Sequence, residues 1–294
     1  MSKIRIITDS SSDITKKRAE ELGIRLIPIS YTFDGEQYFR DGFDLSVEEF
    51  YEKLRSNSEI PKTTQVTPVE YEDCFREEFE NGYDTLIVVT ISSNGSGMYN
   101  NAVMTARDFS EETGCEVHVI DSKGFTCLTG AGVVHAAHML KEGKSKEEIL
   151  EFLNDVFDTM HSYFLVGELE HLKKGGRINT ATLVLANMLD IKPVLTVAGG
   201  MVVQKDKIRG SKRIWKKLTE KATADGYDLS NSTVIIVNTA QQKKYEELKE
   251  ELEKTFEGIK VKKCDIGAIV GCHGGPDLVG FVFSDKYDLD DYED

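Results

Sequence analysis

The chain has 294 residues, of which 40% are hydrophobic and 30% are charged, so it can form a packed core and is not wholly disordered. Its 36 basic and 51 acidic residues give a net charge of −15, which disfavours binding to nucleic acids through charge repulsion. No apolar run approaches the roughly 18 residues needed to span a bilayer. We therefore expect no nucleic-acid partner and no stable membrane insertion.

The five cysteines are odd in number, and no two of them form a C-x-x-C pair. This pattern predicts reduced thiols, with neither a disulfide framework nor a zinc site. The N-terminal segment begins a strand pattern at once and has no apolar stretch followed by a cleavage site, so we expect no signal peptide. Both observations favour a cytoplasmic protein.

Short apolar runs alternate with helical patterns along the first half of the chain. The runs are almost continuously apolar, which is typical of parallel strands covered on both faces of a sheet. This alternation predicts a Rossmann-like α/β domain with a parallel sheet over residues 1–163. The four strand-like runs lie at residues 4–8, 25–30, 85–91 and 116–121.

Capping residues predict where the helices of this domain begin. Asp13 precedes a helical pattern and is its predicted N-cap. Two capping boxes follow, in which Ser46 pairs with Glu49 and Thr67 pairs with Glu70.

The second half is predicted to be a separate α/β domain with a mixed sheet over residues 164–288, after an amphipathic helix at about 146–161. We expect the acidic tail at 289–294 to be frayed and solvated. The strand-like runs of this half lie at 163–169, 191–197, 233–238, 267–271 and 278–283, and its helical patterns lie at about 180–190 and 243–257.

Four small, polar loops follow predicted strands of the first half. Loops at the carboxyl ends of parallel strands converge on one crevice, where ligands bind. Their hydroxyls and glycines predict a site for a small anionic or polar headgroup, although capping alone explains several of them. The loops are TDSSSD at 8–13, TTQVTP at 63–68, SSNGSGMYNNA at 92–102 and DSKGFTCLTGAG at 121–132.

Two glycine-rich segments of the second half add charged groups. KKGGRIN at 173–179 carries Arg177, and GCHGGPD at 271–277 places His273 in a predicted turn. A histidine in such a turn can donate a hydrogen bond to an anion, but it can equally be a surface residue.

Taken together, these segments resemble the DegV family of bacterial fatty-acid-binding proteins over residues 3–284. The chain departs from the family pattern at three positions, where Val66 replaces a proline, Gly95 a leucine and Met98 a threonine. The motifs that carry the resemblance are, in order, TDSSSD, KTTQVTP, SSNGSGMYNNA, DSKGFTCLTG, LKKGGRI, IKPVL and the G-x-H-x-G-P turn.

The resemblance implies a two-domain fold that holds one long-chain fatty acid, such as palmitate, between the domains. It also implies a lipid-binding, lipid-transporting protein without catalytic residues, cofactor or metal, which presents the acid to a separate ATP-dependent fatty acid kinase. On this mapping the carboxylate is bound by Thr63, Thr64, Ser93 and His273, while Ser92 and Arg177 lie at the headgroup or face the partner.

Two other functions compete with lipid binding. In a serine hydrolase for acyl esters, Ser92 or Ser93 would be the nucleophile and His273 the base, but the sequence has no G-x-S-x-G elbow. The glycine loops could instead bind phosphate or a nucleotide, yet neither a P-loop motif nor a G-x-G-x-x-G after a strand is present.

A metal site formed by His135 and His138 is a further alternative. The two residues are three apart and would share one face of a helix. Their neighbours are small and apolar, which favours a place in the core or in the lining of a tunnel.

Overall fold

The structure, a computed structural model, describes residues 3–57, 59–182 and 191–292. The strands of the first half are β1 (Ile4–Asp9), β2 (Arg25–Ile27), β3 (Ser30–Thr32), β4 (Tyr38–Arg40), β5 (Lys62–Thr63), β6 (Thr85–Thr90) and β7 (Glu116–Asp121). Its helices are α1 (Lys16–Leu22), α2 (Val47–Ser56), α3 (Pro68–Glu80), α4 (Met98–Thr113), α5 (Cys127–Lys141) and α6 (Lys146–Val156).

The first half contains the predicted parallel sheet. Its strand order is β2-β1-β6-β7, and all three strand pairs are parallel. Every residue of β6 is buried, as its continuous apolar run predicts for a central strand. A second, antiparallel sheet of order β4-β3-β5, which the sequence patterns do not reveal, carries residue 63.

The second half contains the predicted mixed sheet. Its strand order is β10-β9-β8-β13-β11-β12, with β11 and β12 parallel and the other pairs antiparallel. The strands are β8 (Met160–Val166), β9 (Ile191–Ala198), β10 (Met201–Arg209), β11 (Thr233–Asn238), β12 (Lys260–Asp265) and β13 (Leu278–Ser284). The helices are α7 (Glu170–Gly175), α8 (Ile214–Ala224), α9 (Gln242–Thr255) and α10 (Ala268–Gly274).

Several predicted boundaries differ from the structure. The helix predicted to reach residue 161 ends at Val156, and β8 begins at Met160 after one 3-10 turn. The proposed division after residue 163 therefore falls inside β8, and the domain limits stay a prediction. Most of the helix predicted at about 180–190 lies outside the described residues, apart from the 3-10 turn Thr180–Thr182.

The segment 267–271 is helical, so its prediction as a strand is wrong. Five apolar residues cannot be assigned to a strand or a helix by periodicity alone. Here the backbone N–H of Gly267 donates to Asp13 Oδ1 (3.0 Å) and that of Ala268 donates to Asp41 Oδ1 (2.8 Å). These carboxylates, both from the first half, satisfy donors at the start of α10 and stabilise the helix.

Asp13 is consequently not the N-cap of α1. Thr15 occupies that position, and its hydroxyl accepts a hydrogen bond from the N–H of Arg18. The two predicted capping boxes, which begin at Ser46 and Thr67, are confirmed with both reciprocal hydrogen bonds present.

The acidic tail is docked on the protein as far as Tyr292, so the expectation of a frayed terminus is wrong for residues 289–292. Leu289 is 3% exposed and Tyr292 is 2% exposed, because both belong to the hydrophobic core. Asp291 forms an ion pair with His135 of α5, at 2.9 Å. Two apolar side chains spaced three residues apart thus anchor a segment whose charges alone suggest solvation.

The five cysteines are all buried and take part in no disulfide, in agreement with the prediction of reduced thiols. No helix in the described part of the chain combines the length and the apolar character required to cross a membrane.

The docked tail predicts a measurable contribution to stability. Leu289→Ala should lower the free energy of unfolding by about 2–5 kcal/mol, because it leaves a cavity in the core. Asp290→Ala, which removes only partly exposed ion pairs to Lys260 and Lys262, should cost less than about 1 kcal/mol. Urea denaturation of the two variants and the parent protein measures both values, and equal losses would contradict the docking of Leu289.

Candidate functional site

A cavity of about 310 Å³ is lined by residues from both halves of the chain. This volume is within the range of small-molecule sites. Most of its wall is apolar and comes from both halves of the chain. Phe164, Val202, Ile269 and Leu278 lie in strands or helices, whereas Ile91 and Phe125 lie in loops. Its polar lining residues are Thr63, Thr64, Gln65, Ser96, Thr126, Ser162, Arg177 and His273.

Thr63 and His273 meet in this cavity although 210 residues separate them. Thr63 Oγ1 lies 3.1 Å from His273 Nε2, close enough for a hydrogen bond between the small N-terminal sheet and α10. If Nε2 carries the proton and donates, the threonine hydroxyl remains able to donate to a ligand. The pair therefore forms a polar contact point in an otherwise apolar wall.

His273 is uncharged at neutral pH in this setting. Burial lowers its pKa to about 4, and the positive charge of Arg177 and the nearby His171 act in the same direction. Its Nδ1 atom is buried without a hydrogen-bond partner in the described residues, and a Cβ at Gly175 would lie 2.5 Å from it. The ring is thus a hydrogen-bonding group and a poor general base near neutrality.

Arg177 joins the two halves at the same place. Its Nε donates to the carbonyl of Gly95 (2.9 Å), and its Nη1 donates to the carbonyl of Gly175 (2.5 Å). The guanidinium is therefore held beside the loop before α4, where it places a fixed positive charge on the cavity lining.

The N-terminus of α4 also borders the cavity, through Gly95, Ser96, Gly97 and Met98. Gly97 is the N-cap of this 16-residue helix, and no side chain caps it. The N–H of Met98 donates to Ser96 Oγ at 3.4 Å, and the positive end of the helix dipole favours an anion here. Ser96, Arg177, Thr63 and His273 are all on the lining, so this end of the cavity is suited to a carboxylate.

The predicted site residues divide into two groups. Thr63, Thr64, His273 and Arg177 line the cavity, whereas Ser92 and Ser93 do not. The hydroxyl of Thr64 donates to the carbonyl of Ser30 (3.1 Å), so its single proton is already used. Its role and that of Ser93 in carboxylate binding stay predictions.

Ser92 and Ser93 are held by other contacts. Ser92 is fully buried, and its hydroxyl donates to the carbonyl of Gly200 in the β9–β10 turn (2.7 Å). The backbone N–H of Ser93 donates to Asp121 Oδ1 at 3.0 Å. Neither serine forms a hydrogen bond with His273 in the described residues, so the nucleophile–base pair of the hydrolase alternative is not formed.

Four polar lining residues, Gln65, Ser96, Thr126 and Ser162, were not among the predicted site residues. Ser96 lies in the SSNGSG loop together with Ser92 and Ser93. Its position just before the glycine N-cap of α4 could have indicated it as a candidate site residue from the sequence. Thr126 has φ 54° and ψ −138°, a sparsely populated conformation, and it precedes α5. That conformation depends on tertiary contacts, including the hydrogen bond from its N–H to Ser11, and no sequence pattern shows it.

The three departures from the family pattern all lie at or near the cavity. Met98 is buried and lines the cavity, and Val66 is buried in the same hydrophobic cluster as Met98. A Cβ at Gly95 would lie 2.5 Å from the ring of Phe125, so a leucine here would clash with that ring. Phe125 therefore occupies the space that Gly95 leaves open.

His135 and His138 lie away from this cavity and are partly exposed, so the expectation of a core or tunnel position is wrong. His135 pairs with Asp291, and His138 Nε2 lies 3.2 Å from Arg18 Nη2. No cluster of potential metal ligands occurs among the residues that the structure describes. The docked tail and α1 account for these contacts.

Comparison with known proteins agrees with the fold. The model of the DegV family of uncharacterised proteins matches residues 3–286. A DegV domain-containing protein of Caldanaerobacter subterraneus subsp. tengcongensis is 33% identical over 286 residues, which is 97% of this chain and 100% of that protein.

Two solved structures are similar over nearly the whole chain. A DegV family protein from Thermus thermophilus, described for its fatty acid binding, has a TM-score of 0.85 and 28% identity, covering 96% of this chain and 99% of that one. A stearic acid-binding protein from Eubacterium ventriosum has a TM-score of 0.82 and 28% identity, covering 97% and 98%. Because the family match spans almost the full sequence, this chain belongs to the DegV family.

Proposed function

We propose that this protein binds one long-chain fatty acid in the cavity shared by its two halves. The observation that carries the proposal is a cavity whose wall is mostly apolar and in which several polar groups lie together at one end. Arg177, neutral His273 and the N-terminus of α4 meet at that end. The fatty-acid binding described for similar proteins of Thermus thermophilus and Eubacterium ventriosum supports the same ligand class.

The energetics suit a ligand with a long tail. Burial of about 14 methylenes at about 0.8 kcal/mol each contributes roughly 11 kcal/mol before the loss of ligand freedom is subtracted. The carboxylate needs hydrogen-bond donors because a buried charge without them is costly. Hydroxyls and helix N–H groups can supply such donors, and the guanidinium of Arg177, which is held by the carbonyls of Gly95 and Gly175, adds positive charge near them.

We further propose that the bound acid is presented to a separate ATP-dependent fatty acid kinase, as the family resemblance implies. The kinase would transfer the γ-phosphoryl group of ATP to the carboxylate, giving an acyl phosphate and ADP. The protein itself would act as the substrate-presenting subunit. The buried, neutral His273 and the absence of a phosphate-binding loop motif from the sequence support this division of roles.

A copurified or added fatty acid provides the direct test of the ligand. Native mass spectrometry of the purified protein should show one long-chain acid per chain, of roughly the 14–18 carbons that the family resemblance implies, a tail long enough for its burial to favour binding. Delipidated protein should take up one equivalent of such an acid. Failure to bind any long-chain acid, in a sample that remains folded by circular dichroism, would reject the proposed function.

Matched variants test where the carboxylate lies. Ser96→Ala and Thr63→Val should each weaken binding by about 1–3 kcal/mol, because each removes a hydroxyl from the polar end of the cavity. Their controls are Ser93→Ala and Thr64→Val, which alter neighbouring hydroxyls and should bind within about 0.5 kcal/mol of the parent. Titration calorimetry gives the four affinities. A large loss in the controls alone would move the carboxylate to Ser93 and Thr64.

The kinase proposal has its own experiment. The purified protein with ATP, magnesium and a fatty acid should produce no acyl phosphate, because phosphoryl transfer needs a nucleotide and metal site. Addition of a cognate fatty acid kinase should start turnover, followed as ADP release. Acyl phosphate formed by the chain alone would contradict the role of a presenting subunit, whereas the lipid-binding proposal would stand.

A further inference from the structure

The ring of Phe125 packs against a glycine at the polar end of the cavity. A Cβ at Gly95 would lie 2.5 Å from Cε1 and 2.8 Å from Cζ of this ring. Both residues are buried, and both line the cavity. The carbonyl of the same glycine accepts the hydrogen bond from Arg177 Nε at 2.9 Å. Phe125 is therefore an apolar part of the wall directly beside the polar groups.

Burial along the loop before α4 shows which way the cavity leads from the polar end. Gly97 is exposed, and it is covered by the exposed Gln65, whose Oε1 would lie 2.7 Å from a Cβ at this glycine. Gly95 is buried against Phe125, and the half-buried Ser96 lies between the two glycines. The loop thus passes from an exposed amide to a buried aromatic ring. A ligand whose carboxylate lies at Ser96 would enter the interior past Phe125.

The backbone on both sides of Phe125 is held in place. The carbonyl of Gly124 accepts a hydrogen bond from the N–H of Ser92 at 3.0 Å. The N–H of Thr126 donates to the carbonyl of Ser11, also at 3.0 Å. Thr126 has φ 54°, a positive value that a β-branched residue adopts only at an energetic cost. These contacts oppose any shift of the loop that would withdraw the ring from the cavity.

We infer that Phe125 is a specificity-determining residue, which restricts the site to acids that carry no substituent on the carbons next to the carboxylate. The inference rests on the proposed function. At these carbons a linear chain presents only hydrogen atoms to the ring, whereas an added methyl group needs space that the ring fills. Because the ring and the Gly95 backbone are both packed, such a group must displace them, and overpacking of this kind weakens binding.

The affinities of three saturated acids test this inference. The first is unbranched hexadecanoic acid, the second carries two methyl groups on the carbon next to the carboxylate, and the third carries the same two groups on the next-to-last carbon. The second and third acids are isomers, so they differ only in where the methyl groups lie. The parent protein should bind the second acid at least about tenfold more weakly than the first, a usual penalty for an extra methyl group in a packed site.

Phe125→Ala should reduce this ratio to about threefold or less, because the smaller side chain leaves room for the methyl groups. The ratio between the first and third acids is the internal control, and it should change by less than about twofold, since the ring does not border the far end of the chain. Phe125→Val, a milder truncation, should shift the ratios in the same direction and serves if Phe125→Ala does not fold.

Gly95→Leu provides a complementation test. In the parent protein its side chain would meet the ring of Phe125, so the melting temperature should fall by at least about 3 °C. In the Phe125→Ala background the leucine can enter the vacated space, so the same substitution should not lower the melting temperature. This double variant should again reject the second acid by at least about tenfold, because the space is filled from the other side.

The outcomes separate this inference from the proposed function. If the parent protein binds no long-chain acid, the proposed function fails. If the parent binds hexadecanoic acid but accepts the second acid equally well, this inference is overturned and fatty-acid binding stands. The inference is also overturned if a folded Phe125→Ala or Phe125→Val variant rejects the second acid as strongly as the parent, or if the ratios for both branched acids fall equally.

Discussion

The placement of α10 is the constraint on which the candidate site depends. This helix belongs to the C-terminal half, yet its first N–H groups donate to Asp13 and Asp41 of the N-terminal half. Tyr51 adds a hydrogen bond to the carbonyl of Ile266 just before it, at 2.9 Å. These contacts fix the helix that places Ile269 and His273 on the cavity wall. The same few hydrogen bonds therefore join the two halves and position the helix that forms one wall of the cavity.

This arrangement requires a buried carboxylate. Burial raises the pKa of Asp41 to about 6, although hydrogen bonds from Ala268 and Ser10 act in the opposite direction. Such a group is tolerated in the interior because helix N–H groups replace the water that it loses. On the far side of α10, burial keeps His273 neutral. The site thus combines a satisfied anion at the start of the helix with an uncharged imidazole at its end.

The shape of the cavity depends on residues that are close in space and separate in sequence. Gly95 and Phe125 illustrate this, because the ring of Phe125 lies where a side chain at position 95 would begin. The missing side chain at Gly95, where the family pattern has a leucine, is therefore compensated by the ring of Phe125 in the loop before α5. Arg177, which belongs to the other half, contacts the same loop, because its Nε donates a hydrogen bond to the carbonyl of Gly95. Both halves thus contribute side chains to the same wall of the cavity.

The sequence by itself determined what depends on neighbours within a few residues, such as the apolar parallel strands and the capping boxes at Ser46 and Thr67. Its ordered motifs also indicated the family and four cavity-lining residues, which are Thr63, Thr64, Arg177 and His273. Only the tertiary structure made 267–271 a helix and put Ser96 on the cavity, because these outcomes depend on distant partners. For α10 one such partner is Asp41, which lies 227 residues from Ala268 in the sequence, so no local pattern can indicate the contact.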